Sequence, residues 1–188
     1  MLGRYRHLGF TIIELVVVII ILAIIAVVAA SKLLDFRRDA EINRVKAVAA
    51  SYQQSLTFAH TRWLIVGNSG PMNDLPGFAN DDLDMNAEGY PLGVDKGNPM
   101  GNPRNIGQGG QGCVDLWNSL LEGPPSVSLN SVDNGSDFQS FRHVGEIAGV
   151  QSQCTYVLRT LGDESGRRRA EISIVYDSIA GTAKPVFQ

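Results

Sequence analysis

Hydrophobic and polar positions divide the chain into stretches of different character. RYRHLG at positions 4–9 is basic, and FTIIELVVVIIILAIIAVVAA at 10–30 is apolar around the whole circumference of a helix except at Thr11 and Glu14. Leu15 to Ala30 carries no charge. With Phe10 to Glu14 and Ser31 it reaches the roughly 20 residues that a membrane-spanning helix needs. From Leu34 the pattern turns amphipathic. Val45, Val48, Ala49, Tyr52, Leu56, Ala59, Trp63 and Val66 recur at three- and four-residue steps, while Arg37, Arg38, Asp39, Glu41, Arg44 and Lys46 fill the other side. No Pro or Gly falls between Phe10 and Val66, so the pattern predicts one helix through both stretches, about 80–85 Å long at 1.5 Å per residue. The stripe is too short and too often interrupted by Ala for a coiled-coil stalk.

Beyond Val66 the signals are short. GNSGP, DLPGF, GYPLG, KGNPMGNPR and GQGGQG follow one another from Gly67 to Gly112 and read as turns and loops. Cys113 to Leu121 reads as a short helix, with Leu116, Trp117 and Leu120 inward, stopped by Gly123-Pro124-Pro125. Thr155 to Leu161 and Ala170 to Tyr176 are rich in β-branched and aromatic residues and are joined as a hairpin by Gly162 to Gly166; Ala183 to Phe187 adds an edge strand. The expected fold class is α+β: a long N-terminal helix, apolar then amphipathic, packed against a small antiparallel β-sheet head.

Composition narrows the function classes. The net charge of −3 and the lack of a long aromatic-interleaved basic stripe do not imply a polyanionic partner, so no nucleic-acid partner is expected. Arg4 and Arg6 precede the apolar run, and the positive-inside rule places them in the cytoplasm and the rest of the chain outside. In that compartment the two cysteines, Cys113 and Cys154, are expected to form one disulfide worth about 3–4 kcal/mol, the alternative being two buried thiols.

Glu14 separates three readings of the N-terminus, because a carboxylate in a bilayer costs about 2.5–3.5 kcal/mol at the helix centre. A secretory signal peptide cut after Ala30 fits the basic and apolar regions but puts Glu14 inside the apolar region. A plain anchor leaves Glu14 unexplained. Gly9-Phe10-Thr11-Ile12-Ile13-Glu14, between a basic leader and an uninterrupted apolar helix, resembles the class III signal of type IV pilins and type II secretion pseudopilins. That resemblance implies cleavage between Gly9 and Phe10 by prepilin peptidase, N-methylation of Phe10, and assembly through Glu14, whose carboxylate pairs with the new amine. It also implies a single-span subunit in the bacterial inner membrane, later polymerised with other pilin subunits by an inner-membrane machinery into an extracellular pilus for adhesion or motility. The parts are then a leader at 1–9, a membrane and filament-core half at 10–33, an amphipathic half at 34–66 and a head at 67–188. Within the family, FTIIELVVVIIILAIIA, GYP and CVDLWNSLLEGPP resemble pilins of the mannose-sensitive haemagglutinin type, minor pilins included. Many pilins carry Gly and Pro in the apolar half; this chain has neither there. The alternative function is a pseudopilin, and after it a membrane-anchored periplasmic binding domain or enzyme.

Candidate chemistry in the head is sparse. Asp82, Asp84, Asn86 and Glu88 alternate as calcium-loop ligands do, but Ala87 stands where an EF-hand needs Gly and Gly93 where it needs Glu, so a solvated acidic turn is the competing reading and no other cofactor is expected. Of the three histidines only His143 falls in a position suited to a head site, and no nucleophile elbow, Walker loop or zinc spacing occurs, so no enzyme is expected. Arg167-Arg168-Arg169 reads as a solvated hairpin flank, or as a contact with a neighbouring subunit.

Overall fold

The computed structural model describes residues 10–67, 69–132 and 134–188. The leader 1–9, with the cleavage residue Gly9, lies outside the described residues. Helix α1 runs Ile12–Val66; after it come a 3-10 turn (Ala79–Asp81), β1 (Leu83–Met85), β2 (Pro91–Val94), α2 (Gln111–Leu120), β3 (Val127–Leu129), β4 (Phe138–His143), β5 (Gln153–Leu158), β6 (Ile172–Asp177) and β7 (Thr182–Phe187). The fold is α+β, as expected. The chain divides into two units, the first ending at Glu41 and the second spanning Ile42–Gln188, so the last 25 residues of α1, Ile42 to Val66, count with the head. That boundary follows the chemistry, since the amphipathic stripe begins at Val45.

In the first unit α1 exposes its apolar side chains on all sides. In the second, Val45, Ala49, Tyr52, Leu56, Ala59 and Trp63 are buried, Val48 is partly so, and Val66 is exposed, which ends the stripe one step earlier than the sequence pattern does. Against the stripe stand β3-β4-β5-β6-β7 in one sheet, while β1 and β2 pair apart from it. Phe138, Tyr156, Cys154, Ile174 and Tyr176 alternate onto the face that packs with the helices. Tyr52 lies 5.4 Å from Tyr176 and 5.9 Å from Tyr156, ring centre to ring centre, and Trp117 lies 4.5 Å from Tyr156. Gln53 bridges the helix to the β6–β7 turn, donating to the carbonyl of Gly181 at 3.1 Å and accepting from the amide of Ala183 at 2.8 Å. Gly181 has φ +63°, and a Cβ there would meet the Tyr90 ring at 2.1 Å, so only glycine brings that carbonyl to Gln53.

Two expectations need correction. The larger sheet is mixed, because β3 pairs with β4 in parallel. Asp137 enforces this: its carboxylate accepts the amide and hydroxyl of Ser126, and its own amide donates to the Ser126 hydroxyl, fixing the starts of both strands side by side. The turn-rich stretch Gly67 to Gly112 is not all loop. It contains the antiparallel β1–β2 pair, whose Leu83, Met85 and Leu92 are fully buried. Strands of three and four residues are too short to print a period on the sequence. The link between β5 and β6 also does more than a hairpin loop would, since Arg159 from it lies over Phe141 and hydrogen-bonds Gln139 on the sheet face remote from the helices.

Candidate functional site

Helix α1 begins at Ile12, which makes Thr11 its N-cap and Glu14 its third residue. The Thr11 hydroxyl accepts the Glu14 amide at 3.3 Å, and the Thr11 carbonyl accepts the Leu15 amide at 3.2 Å. Thr-Ile-Ile-Glu therefore has the spacing of a capping box, in which the cap hydroxyl satisfies an amide of the first turn that has no partner within the helix. Glu14 sits at the positive end of the helix dipole, which favours an anion by about 0.3–1 kcal/mol. Phe10, just before the cap, is 72% exposed. From Ile12 to Val28 the large apolar side chains are all exposed, and helix α1 is long and apolar enough to cross a membrane. Burying each such side chain is worth about 1.5–3 kcal/mol, so the segment requires lipid or other helices around it.

Residues 4–30 match the family model of the prokaryotic N-terminal methylation motif. The chain carries a type IV pilin-like signal. The match spans Gly9, Phe10, Thr11 and Glu14 together with the apolar run; it points to a pilin-like or pseudopilin-like structural subunit, and the apolar helix is compatible with membrane anchoring. No curated protein and no solved structure matches the chain.

In the head, Cys113 and Cys154 form a disulfide, Cα to Cα 5.7 Å, that ties α2 to β5. The four residues read as calcium ligands are not brought to one point. Asp84 is fully buried, with one oxygen accepting the Asp74 amide at 3.1 Å and the other the Lys96 amide at 2.6 Å. Burial raises its carboxyl above the ordinary range, and those two amides only partly oppose the rise. Asn86 accepts the Tyr90 amide at 2.7 Å and donates to the Ser178 carbonyl at 2.6 Å. Asp82 faces solvent and Glu88 is half-buried. Among the described residues no group of three or more His, Cys, Asp or Glu is placed to hold a metal. Asp84 and Asn86 are thus nodes of the fold, their side-chain oxygens taken up by backbone amides. The sequence reading missed Lys96, which is buried and donates its ammonium to the carbonyls of Asn105 at 2.9 Å and Gly107 at 3.1 Å.

His143 does not join a catalytic set. Its Nε2 lies 2.8 Å from the Thr155 hydroxyl and its Nδ1 3.0 Å from the Val144 carbonyl. Burial lowers its pKa, so the neutral ring is favoured. His60 lies on α1, its Nδ1 2.8 Å from the Gly89 carbonyl and its ring stacked on Tyr90. Arg44 and Asp137, 3.3 Å apart, form an ion pair that sequence spacing did not indicate, because 93 residues separate them.

Proposed function

We propose that the chain is a type IV pilus subunit. Prepilin peptidase cuts it between Gly9 and Phe10, Phe10 is N-methylated, and α1 holds it in the inner membrane with its head outside before it polymerises with other pilin subunits. Glu14 serves assembly by pairing with the amine that cleavage creates on Phe10. The observation that carries this reading is the methylation-motif match at 4–30 running without a break into a helix whose first side chains are exposed and apolar. Such a surface has no stable place in water, and a filament core of packed helices gives it one. The head sequence, through GYP and CVDLWNSLLEGPP, favours a subunit of the mannose-sensitive haemagglutinin type that works in adhesion.

Two measurements test it. Intact-mass analysis of membrane-extracted protein should find a chain beginning at methylated Phe10; a start at Ser31 or an uncut Met1 refutes it. The protein should also appear in filaments sheared from the cell surface. A processed chain that never leaves the cell envelope, and whose loss blocks export of a secreted protein, would assign it to the pseudopilins instead.

A further inference from the structure

Two recesses of the head carry clusters of opposite charge that form no ion pair among the described residues. Arg167, Arg168 and Arg169 lie in the β5–β6 link and, with Gly166 and Phe141, line a recess of about 390 Å³. Phe141 belongs to the β4 side chains that point away from the helices, since its neighbours Phe138 and Ser140 alternate into the core. Among the described residues none of the three arginines forms an ion pair. Asp163, in the same link, is occupied by the amides of Ser165 and Glu171 and by Arg159.

A second recess, of about 560 Å³, is lined by Asn80, Asp82, Val94, Asp115 and Asn118. Asp95 is held beside it, because its amide donates to the Asp82 carbonyl at 2.9 Å. Asp82, Asp95 and Asp115 likewise form no ion pair among the described residues. Lys96, the cation next in the chain, is turned inward to the carbonyls of Asn105 and Gly107. Helix α2 packs Cys113, Leu116 and Trp117 onto the inner face of the sheet and leaves Asp115 and Asn118 outward, so the acidic recess lies on the helical side of the head and the basic one on the other.

We propose that the arginine recess of one head docks the aspartate recess of the next copy of this chain. Two different surfaces meeting in this way make a heterologous contact, which does not close into a dimer and repeats along an open helix. This deepens the filament reading and rests on it. Single exposed ion pairs are weak, but three charges facing three add up, and the contact should weaken as salt screens it.

The test uses the full chain in cells, comparing its amount in membrane and sheared-filament fractions. Arg167→Glu/Arg168→Glu/Arg169→Glu should reach the membrane with its Cys113–Cys154 bond formed and be depleted from filaments at least tenfold. Asp82→Lys/Asp95→Lys/Asp115→Lys should behave alike, and the six changes together should recover incorporation to within threefold of the parent. Undiminished incorporation of both reversed chains, or a loss that the combination does not restore, overturns the contact. If the unaltered chain is itself missing from filaments, the pilus reading fails, and carbodiimide cross-linking of Arg168→Lys in membrane extracts still decides the contact: a peptide joining position 168 to Asp82, Asp95 or Asp115 of another copy supports it, and its absence overturns it. Normal incorporation together with loss of the arginine-reversed chain from polyphosphate beads would assign the recess to an anionic polymer and overturn the second-copy occupant.

Discussion

Tyr52 and Tyr156 differ by one bond in a buried relay, and that difference predicts unequal costs for the same chemical deletion. The Tyr156 hydroxyl donates to the Cys113 carbonyl at 2.8 Å and lies 3.3 Å from the Tyr52 hydroxyl. With the Tyr156 proton committed to the carbonyl, Tyr52 is the donor in the second contact. Burial pushes both phenols up, so neither ionises near neutrality. Tyr52→Phe removes one donor and leaves the Tyr156–Cys113 bond intact, for a net cost of about 0.5–1.5 kcal/mol. Tyr156→Phe removes both bonds and strands the Tyr52 hydroxyl in a site fully closed to solvent, adding about 1–3 kcal/mol for the unsatisfied group. At central values of about 1 and about 3 kcal/mol, the unfolding temperature of a domain of this size should fall by about 2–4 °C in the first case and about 6–12 °C in the second. In the double variant no hydroxyl is left stranded, so adding Tyr52→Phe to Tyr156→Phe should be neutral or restore about 1 kcal/mol. Near-UV circular dichroism of the full chain in detergent reports on these rings without interference from the long helix. Equal costs, or simple additivity in the double variant, would refute the relay.

The disulfide closes a loop with a sequence separation of 41, so its reduction should lower head stability by about 3–4 kcal/mol while far-UV helicity persists; an unchanged near-UV melt refutes this. Burial lowers the pKa of His143, so the folded chain binds fewer protons than the unfolded chain below about pH 6.5; stability should fall as pH drops through that range, and His143→Gln should flatten the fall in denaturant titrations. Burial acts to raise the Asp137 carboxyl, but the Ser126 hydroxyl and amide and Arg44 outweigh it and hold it below the usual range. Its stabilisation is present above about pH 4 and lost as pH falls through the lowered value, so Arg44→Met should shrink the acid limb of the same titration. Glu14→Gln should be processed and inserted at least as well as the parent yet be depleted from sheared filaments, whereas Thr11→Ala should cost about 0.5–2 kcal/mol of helix cap and leave incorporation intact. Equal filament levels for the two variants would remove the assembly role of Glu14.

The long helix was legible because 55 residues of consistent pattern leave little room for another answer, and the stripe Val45 to Trp63 marked its buried face directly. The strands β5, β6 and β7 were placed within a few residues, since β-branched and aromatic side chains cluster there. What sequence did not reveal is held by long-range polar contacts. Gln53 reads as any surface glutamine until its partners, Gly181 and Ala183, are brought alongside it. Asp84 and Asn86 read as ion ligands for the same reason: oxygen-bearing residues at alternate positions suit a cation or a set of backbone amides equally, and only the fold decides which arrives. The parallel pairing of β3 depends on Ser126 and Asp137, neither of which carries a strand signal.

Glu14 is the point at which local folding and assembly ask for different things of one side chain. The Thr11 cap accounts for the amide of residue 14, and a capping box accepts Gln at that position as readily as Glu. The helix dipole adds about 0.3–1 kcal/mol for a charge there, which falls short of the roughly 2.5–3.5 kcal/mol that a carboxylate costs at the centre of a bilayer. Local stabilisation therefore explains a polar residue and does not explain an ionised one. A cation close by reverses the balance, because a buried pair costs far less than a lone charge. Cleavage at Gly9 would place an amine on Phe10, one helical turn away, and none of residues 15–30 offers a positive charge in its stead. On the proposed function the carboxylate is then explained by a partner that exists only after processing, which is why its loss should be felt in filaments and not in the membrane.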